Sequence, residues 1–201
     1  INLVLKFSTQ NLLFAENSLW SLKPIKKIII PNNENTNWAL NSVDEFILRK
    51  LSAESLSPSA RANRRSIIRR ASYDLTGLPP RPETVRDFLN DPDDDAISFA
   101  KVVNKLLESK AYGEKWGRHW LDVVRYADTA GENSDHPVED AWRYRNWVIQ
   151  SFNNDMPYDQ FVREQIAGDI LAVGKKGKEF VDNTIASGYL AIARRFGHDI
   201  D

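Results

Sequence analysis

The residues best suited to do chemistry are concentrated in "KWGRHWLDVVRYADTAGENSDHP", residues 115 to 137. The segment contains two histidines, two arginines and four carboxylates. His119 and Asp122 are three positions apart, which on a helix places the carboxylate within reach of the imidazole. A histidine oriented by a carboxylate is the arrangement expected of a catalytic or ligating group. The alternative is that His119 is a structural histidine at the border of an aromatic core.

Helical periodicity predicts a helix over about 112–128 that must position these groups. At 100° per residue, four residues fall on one side and are predicted to form its buried face: Trp116, Trp120, Val123 and Ala127. His119 would lie at the edge of this face. Arg118, Asp122 and Arg125 would form a polar ladder, because spacings of three and four bring side chains together on a helix surface.

Five aromatic residues are predicted first as core, with sugar stacking or haem packing as the alternative: Trp116, Trp120, Trp142, Tyr144 and Trp147. The segment that follows the helix adds groups of the kind that bind hard metal ions, namely Asp128, Glu132, Asp135 and His136. Their spacing matches neither an EF-hand nor a His-Glu-x-x-His motif, so no metal site is predicted. The sequence also lacks a nucleophile elbow, a P-loop and a dinucleotide-binding glycine pattern. Whether the protein is an enzyme is therefore left open.

The composition excludes several classes of partner and site. The 201 residues include 27 basic and 28 acidic side chains, for a formal net charge of −1, so no nucleic-acid partner is expected. Five arginines within residues 61–70 are predicted to form a solvated helix face. The chain contains no cysteine, which excludes zinc–thiolate sites, disulfides and covalent haem attachment within these residues. Its apolar N-terminal stretch is too short and interrupted to span a membrane.

The rest of the sequence predicts an all-α fold, an irregular domain of about seven to eight helices with an extended N-terminal arm. The arm is assigned to residues 1–37, where "PIKKIIIPNNENTNW" combines a β-branched run with prolines and asparagines. The helical domain is assigned to residues 38–201. Besides the helix above, helices are expected near 42–54, 59–76, 82–90, within 91–109, and near 139–153, 158–171 and 178–194.

Several long motifs occur in one order: "NSVDEFILRKL", "RRSIIRRASYDLTGLPPRPETVRDFLND", "YGEKWGRHWLDVVRYADTAGE", "AWRYRNWVIQSFNNDMPYDQFVREQIAGDIL" and "ARRFGHDID". Together they resemble the second planctomycete cytochrome-related domain, a family of unknown function, over about residues 38 to 201. The resemblance implies an extracytoplasmic location, periplasmic or secreted, and a multidomain parent protein. It also implies that the domain continues past Asp201 into a Cys-x-x-Cys-His-type segment that would carry haem c, so the domain is expected to be truncated.

The resemblance leads to a first hypothesis of function, a helical module that packs beside a c-type haem and serves electron transfer or another redox reaction. His119 or His198 would supply an axial ligand, with Asp122 orienting His119. Arg143 and Arg145 would pair with the haem propionates, as arginine does with carboxylates. The partners would be other domains of the same parent protein.

Two alternatives stay open. The first is a carbohydrate-binding or carbohydrate-degrading module with a polysaccharide as partner, because the segments are rich in tryptophan, tyrosine and carboxylates. Acid–base work would then fall to two of the four carboxylates Asp122, Asp128, Glu132 and Asp135. The second is a structural scaffold without a site.

Overall fold

The computed structural model describes residues 23–32, 38–129, 135–188 and 190. Within these residues the chain forms eight α-helices and no strand, which confirms the all-α prediction. The helices are α1 (Ser42–Ala53), α2 (Arg64–Thr76), α3 (Pro82–Asn90), α4 (Asp95–Leu107), α5 (Lys110–Val123), α6 (Ala141–Asn153), α7 (Tyr158–Leu171) and α8 (Gly177–Ala186). The chain divides into two compact units, residues 1–61 and 62–201. The first unit contains α1, and the second contains the other seven helices.

The first two helices begin at side-chain caps, and the third begins at a proline. The Asn41 side chain accepts hydrogen bonds from the backbone N–H groups of Val43 and Asp44, which starts α1. Helix α2 was expected from residue 59 but begins at Arg64, because Asn63 Oδ1 accepts the N–H of Ser66 at 2.9 Å. Helix α3 spans the predicted residues, with proline at its first position, where a missing N–H does no harm.

The ends of α5 and α6 have the same geometry, a Schellman turn with a residue other than glycine in the left-handed region. Arg125 has a φ of 55°, and the N–H of Tyr126 donates to the carbonyl of Leu121 at 2.9 Å. Asp155 has a φ of 49°, and the N–H of Met156 donates to the carbonyl of Ser151 at 3.0 Å. The prediction that α5 continues to residue 128 is therefore wrong, because the chain reverses at Arg125.

A first hydrophobic cluster joins α2, α3 and α4 through Ile68, Phe88 and Val102. One of the five arginines predicted to be solvated takes part in this region. Arg64 Nη1 donates to the carbonyls of Phe88 and Asp91, at 3.0 and 2.8 Å, and its Nε lies 2.6 Å from an Asp95 carboxylate oxygen. Arg64 thus ties the start of α2 to the connection between α3 and α4.

A second hydrophobic cluster joins α6, α7 and α8. Helix α5 packs against this cluster, mainly by contacting α6. The buried members of the cluster are Tyr144, Trp147, Val148, Phe161 and Ala186. The ring of Trp147 stacks on that of Phe161, with centroids 5.2 Å apart and an interplanar angle of 8°. The segment from which the candidate functional residues come packs against this cluster through Trp120, Leu121, Val124 and Tyr126.

The predicted buried face of α5 is wrong in three of its four members. Trp116 is 38 % exposed and Val123 is 74 % exposed, while Ala127 lies beyond the end of the helix. The helix instead buries Gly113 and Gly117 against α6. A pattern of large apolar residues misses this face, because the close approach of the two helices depends on the absence of side chains.

Candidate functional site

His119 lies on an exposed face of α5. Its ring centroid is 5.4 Å from that of Trp116, and the Trp116 centroid is 6.3 Å from that of Tyr112. Helical spacings of four and three residues align these side chains along the helix, and Val123 continues the line by one more turn. We call Tyr112, Trp116 and His119 the aromatic stripe.

Asp122 was predicted to orient His119. In the described part of the chain its carboxylate lies 4.0 Å from the guanidinium of Arg118, as predicted, whereas Arg125 lies past the end of α5 and so does not continue the polar ladder. No hydrogen bond joins Asp122 to His119 in these residues. Both members of this ion pair are largely exposed, so it contributes little to stability. A role for Asp122 in cofactor binding stays a prediction.

Asp128 connects the segment after α5 to α6. One carboxylate oxygen accepts a hydrogen bond from the Tyr126 hydroxyl, and the other lies 2.8 Å from Arg145 Nη1. The backbone N–H of Val138 donates to the Asp128 carbonyl at 2.8 Å. Burial, together with the hydrogen bond to Asp128, raises the pKa of Tyr126 well above its ordinary value. Tyr126 is therefore the hydrogen-bond donor of this pair, and the Asp128 carboxylate is its acceptor.

Both arginines that were predicted to pair with haem propionates have carboxylate partners within this domain. Arg145 pairs with Asp128, and Arg143 Nε lies 2.9 Å from an Asp140 carboxylate oxygen. The Arg143 guanidinium also lies over the Trp142 ring, 5.1 Å from its centroid. Trp142 is exposed, contrary to its prediction as a core residue.

Behind this surface, three buried or half-buried side chains from three helices form one hydrogen-bond network. The indole Nε1 of Trp120 on α5 donates to the Tyr144 hydroxyl on α6 at 3.1 Å and to Gln165 Oε1 on α7 at 3.0 Å. The Tyr144 hydroxyl donates to the same Gln165 oxygen at 2.6 Å. Gln165 Nε2 donates to the carbonyl of Phe161 at 3.0 Å. The predictions that Trp120 and Tyr144 belong to the core are confirmed, and Trp147 is also buried.

A pocket of about 220 Å³ opens beside this network and was not predicted from the sequence. Its lining residues come from α5, α6, the turn after α6 and α7: Tyr112, Trp120, Ser151, Phe152, Asp155, Met156, Tyr158 and Phe161. No single motif contains them, although "SFNNDMPYDQF" holds six of the eight. We call it the aromatic pocket.

The remaining predicted residues do not form a site that the structure describes. Glu132 and His198 lie outside the described residues, and Asp135 and His136 are exposed. Among the described residues, no group of three or more histidine, aspartate and glutamate side chains is placed to hold a metal ion. No described helix has both the length and the apolar character needed to cross a membrane.

The fold and the site define an all-α domain with an aromatic core, an internal polar network and an exposed aromatic stripe. Residues 42–199 match the family model described as "PSCyt2: Protein of unknown function (DUF1549)". The match covers most of the chain, so the chain belongs to this family, whose name fits the cytochrome-related resemblance. Neither the curated proteins nor the solved structures contain a match.

Proposed function

We propose that this domain packs beside a haem-bearing redox domain of the same protein and serves electron transfer, with the aromatic stripe as the contact surface. The observation that carries the proposal is the exposure of Trp116, at 38 %, on the same face as His119. Tryptophan and tyrosine are enriched among the residues that dominate protein interfaces, and a large aromatic side chain left in water on a rigid helix is typical of such an anchor.

The donor set of the described residues fits a haem partner only in part. His119 has an exposed imidazole with no hydrogen bond to another described residue, and imidazole is a common axial ligand of haem iron. Arg143 and Arg145 are each paired with an aspartate in partly exposed ion pairs, so a propionate would have to compete with Asp140 or Asp128 for them. When bound, a haem would supply the one-electron chemistry. The residues of this chain would dock the haem-bearing domain and exclude water from the contact.

The experiment uses the complete natural protein that carries this domain, expressed in a host that attaches haem c. A Soret band is expected, and its absence would overturn the proposal. The variants Trp116→Ala and His119→Ala are each expected to shift the reduction potential of the haem or the rate at which it is reduced. Trp142→Ala is the matched control, because Trp142 is also an exposed tryptophan but lies on α6.

A potential and a reduction rate that are unchanged in the variants Trp116→Ala and His119→Ala would rule out the stripe as the contact surface. His119 is tested as a ligand by titrating the 201-residue chain with ferric haem. A Soret shift that is lost in His119→Ala and kept in His136→Ala would support ligation, since both histidines are exposed. An equal shift in both variants would contradict it.

A further inference from the structure

We infer that the aromatic pocket binds the head group of an organic ammonium ion, with Asp155 as its counter-ion. This inference does not rest on the proposed function. Five of the eight lining residues are aromatic, and Asp155 is the only charged one. The described lining contains no lysine or arginine. The negative charge of Asp155 and the quadrupoles of the aromatic rings therefore both favour a cationic ligand.

The aromatic side chains form a connected wall. The rings of Trp120 and Phe161 meet edge to face, with centroids 4.9 Å apart, and Phe152 and Phe161 meet at 5.9 Å with an interplanar angle of 65°. Because the Trp120 Nε1–H is already bonded to Tyr144 and Gln165, its side chain presents mainly carbon to the pocket. Faces of this kind attract a cation that has few hydrogen-bonding groups of its own.

The hydroxyl of Ser151 does not offer a free proton to a ligand. Ser151 Oγ donates to the carbonyl of Trp147 at 2.8 Å, which leaves only lone pairs for the pocket. Asp155 is an exposed residue of the lining, and its carboxylate and the Ser151 hydroxyl both present only acceptor lone pairs to a ligand. An anionic ligand would find no charged donor among the lining residues, whereas an ammonium group would meet acceptors and ring faces.

Asp155 also has a left-handed backbone conformation. It occupies the left-handed position of the Schellman turn that ends α6, with a φ of 49°, where glycine is the residue of least strain. No ion pair to another described residue explains a carboxylate at this position. Aspartate tolerates this conformation better than most residues do, and Arg125 adopts it in the matching turn of α5, so Asp155 is assigned as the counter-ion because of its charge and its place in the lining.

The size of the pocket selects a small head group. Pockets for drug-sized ligands hold about 300–1,000 Å³, and this one holds about 220 Å³. A quaternary ammonium group or the methylated end of a lysine side chain suits this volume. A polysaccharide chain would need a longer groove, with donors for its hydroxyl groups.

The test titrates the 201-residue chain with choline and with its neutral isostere 3,3-dimethyl-1-butanol, followed by calorimetry or ligand-observed NMR. Choline is expected to bind at least tenfold more tightly than the neutral alcohol. No choline binding at millimolar concentration would overturn the inference. Equal binding of the two compounds would do so too, since it would show a merely apolar pocket. Binding of glucose in place of choline would favour a carbohydrate site instead.

Variants of Asp155 separate loss of the ligand from loss of the fold. Asp155→Asn and Asp155→Gly are each expected to weaken choline binding at least tenfold. The glycine variant should keep or raise the Tm, because glycine adopts the left-handed conformation without strain. Asp159→Asn is the matched control, since Asp159 is exposed in the first turn of α7, pairs with Arg163 and does not line the pocket. Unchanged affinity in both Asp155 variants would refute its role as counter-ion.

Discussion

The two hydrophobic clusters of the second unit bury polar groups in different ways. Around the first cluster, buried hydroxyls bond to nearby backbone: Ser72 donates to the carbonyl of Leu78, and Thr76 donates to that of Ser72. Around the second cluster, Trp120, Tyr144 and Gln165 bond to one another across three helices. The first arrangement satisfies each group locally, whereas the second requires all three helices to be in place.

This difference bears on where function can be placed. A network whose members come from separate helices fixes their relative positions, because each buried polar group is costly to leave unpaired. The aromatic stripe and the aromatic pocket both include residues of α5, the helix that Trp120 ties to this network. The second region is therefore the more rigidly specified one, and four pairs of substitutions test the contrast.

The largest effect is expected where α5 and α6 touch. A Cβ added at Gly113 would lie 2.4 Å from the carbonyl oxygen of Ile149 and 2.6 Å from the Asn153 side chain. The clash with backbone forces the helices apart, so Gly113→Ala is expected to lower the free energy of unfolding by about 3 kcal/mol. Urea denaturation followed by circular dichroism measures the change.

Gly117→Ala is the control for this prediction, one turn further along the same helix. Its nearest neighbour would be Ile149 Cγ1 at 3.3 Å, a side-chain atom that can yield by a few tenths of an ångström. The gain in helix propensity from glycine to alanine, about 1 kcal/mol, offsets much of that cost. Equal destabilisation by the two substitutions would show that the close approach at Gly113 does not hold the helices together.

The next effect concerns the network directly. Gln165→Leu removes three hydrogen bonds, those with Trp120, Tyr144 and the Phe161 carbonyl, and is expected to cost about 2 kcal/mol. Ser72→Ala removes one local bond near the first cluster and is expected to cost about 1 kcal/mol. If the serine variant proved the less stable of the two in thermal unfolding, the proposed contrast between the regions would be reversed.

The sequence was sufficient for most of the fold because helix periodicity and capping are local. Pro82 and Gly77 mark where α3 begins and α2 ends, and the structure places both as predicted. The prediction of the buried face of α5 was wrong because a close helix contact at glycines leaves no hydrophobic pattern in the sequence. Likewise, Arg64 looked like one of several solvated arginines, since its carbonyl partners belong to a connection far along the chain.

The candidate site was predicted less well, because contacts between residues that are distant in the sequence leave no local pattern. Asp128 was proposed as an acid or base, but its partners Tyr126 and Arg145 are set by how the segment after α5 folds back onto α6. The aromatic pocket needed the packing of three helices to become visible. His119 and Asp122 have the helical spacing of an interacting pair, yet spacing alone does not determine which neighbour a side chain contacts, and Asp122 pairs with Arg118.

A smaller effect is expected from a substitution in the first cluster that changes only the burial of apolar surface. Ile68 is 1 % exposed, so Ile68→Val, which deletes one methylene, is expected to cost about 1 kcal/mol. Ile97→Val on the exposed side of α4 is the control and should change stability little. A loss at residue 68 no larger than at residue 97 would show that the first cluster is loosely packed.

The smallest effect is electrostatic and depends on pH. Lys101 Nζ lies 2.9 Å from Asp91 and 2.7 Å from Asp93, and its hydrogen bond holds the pKa of Asp91 below the usual range. As the pH falls, Asp91 therefore binds a proton in the unfolded chain before it does so in the folded chain. The stabilisation is complete above the ordinary aspartate pKa and is lost as the pH falls through the lowered pKa of the folded state. The Tm of Asp91→Asn should therefore fall less than that of the unaltered protein between pH 6 and pH 3. Asp74→Asn, an exposed change on α2, should leave the acid sensitivity as it is, and a matching response in both variants would mean that the Lys101 contact does not stabilise the first region.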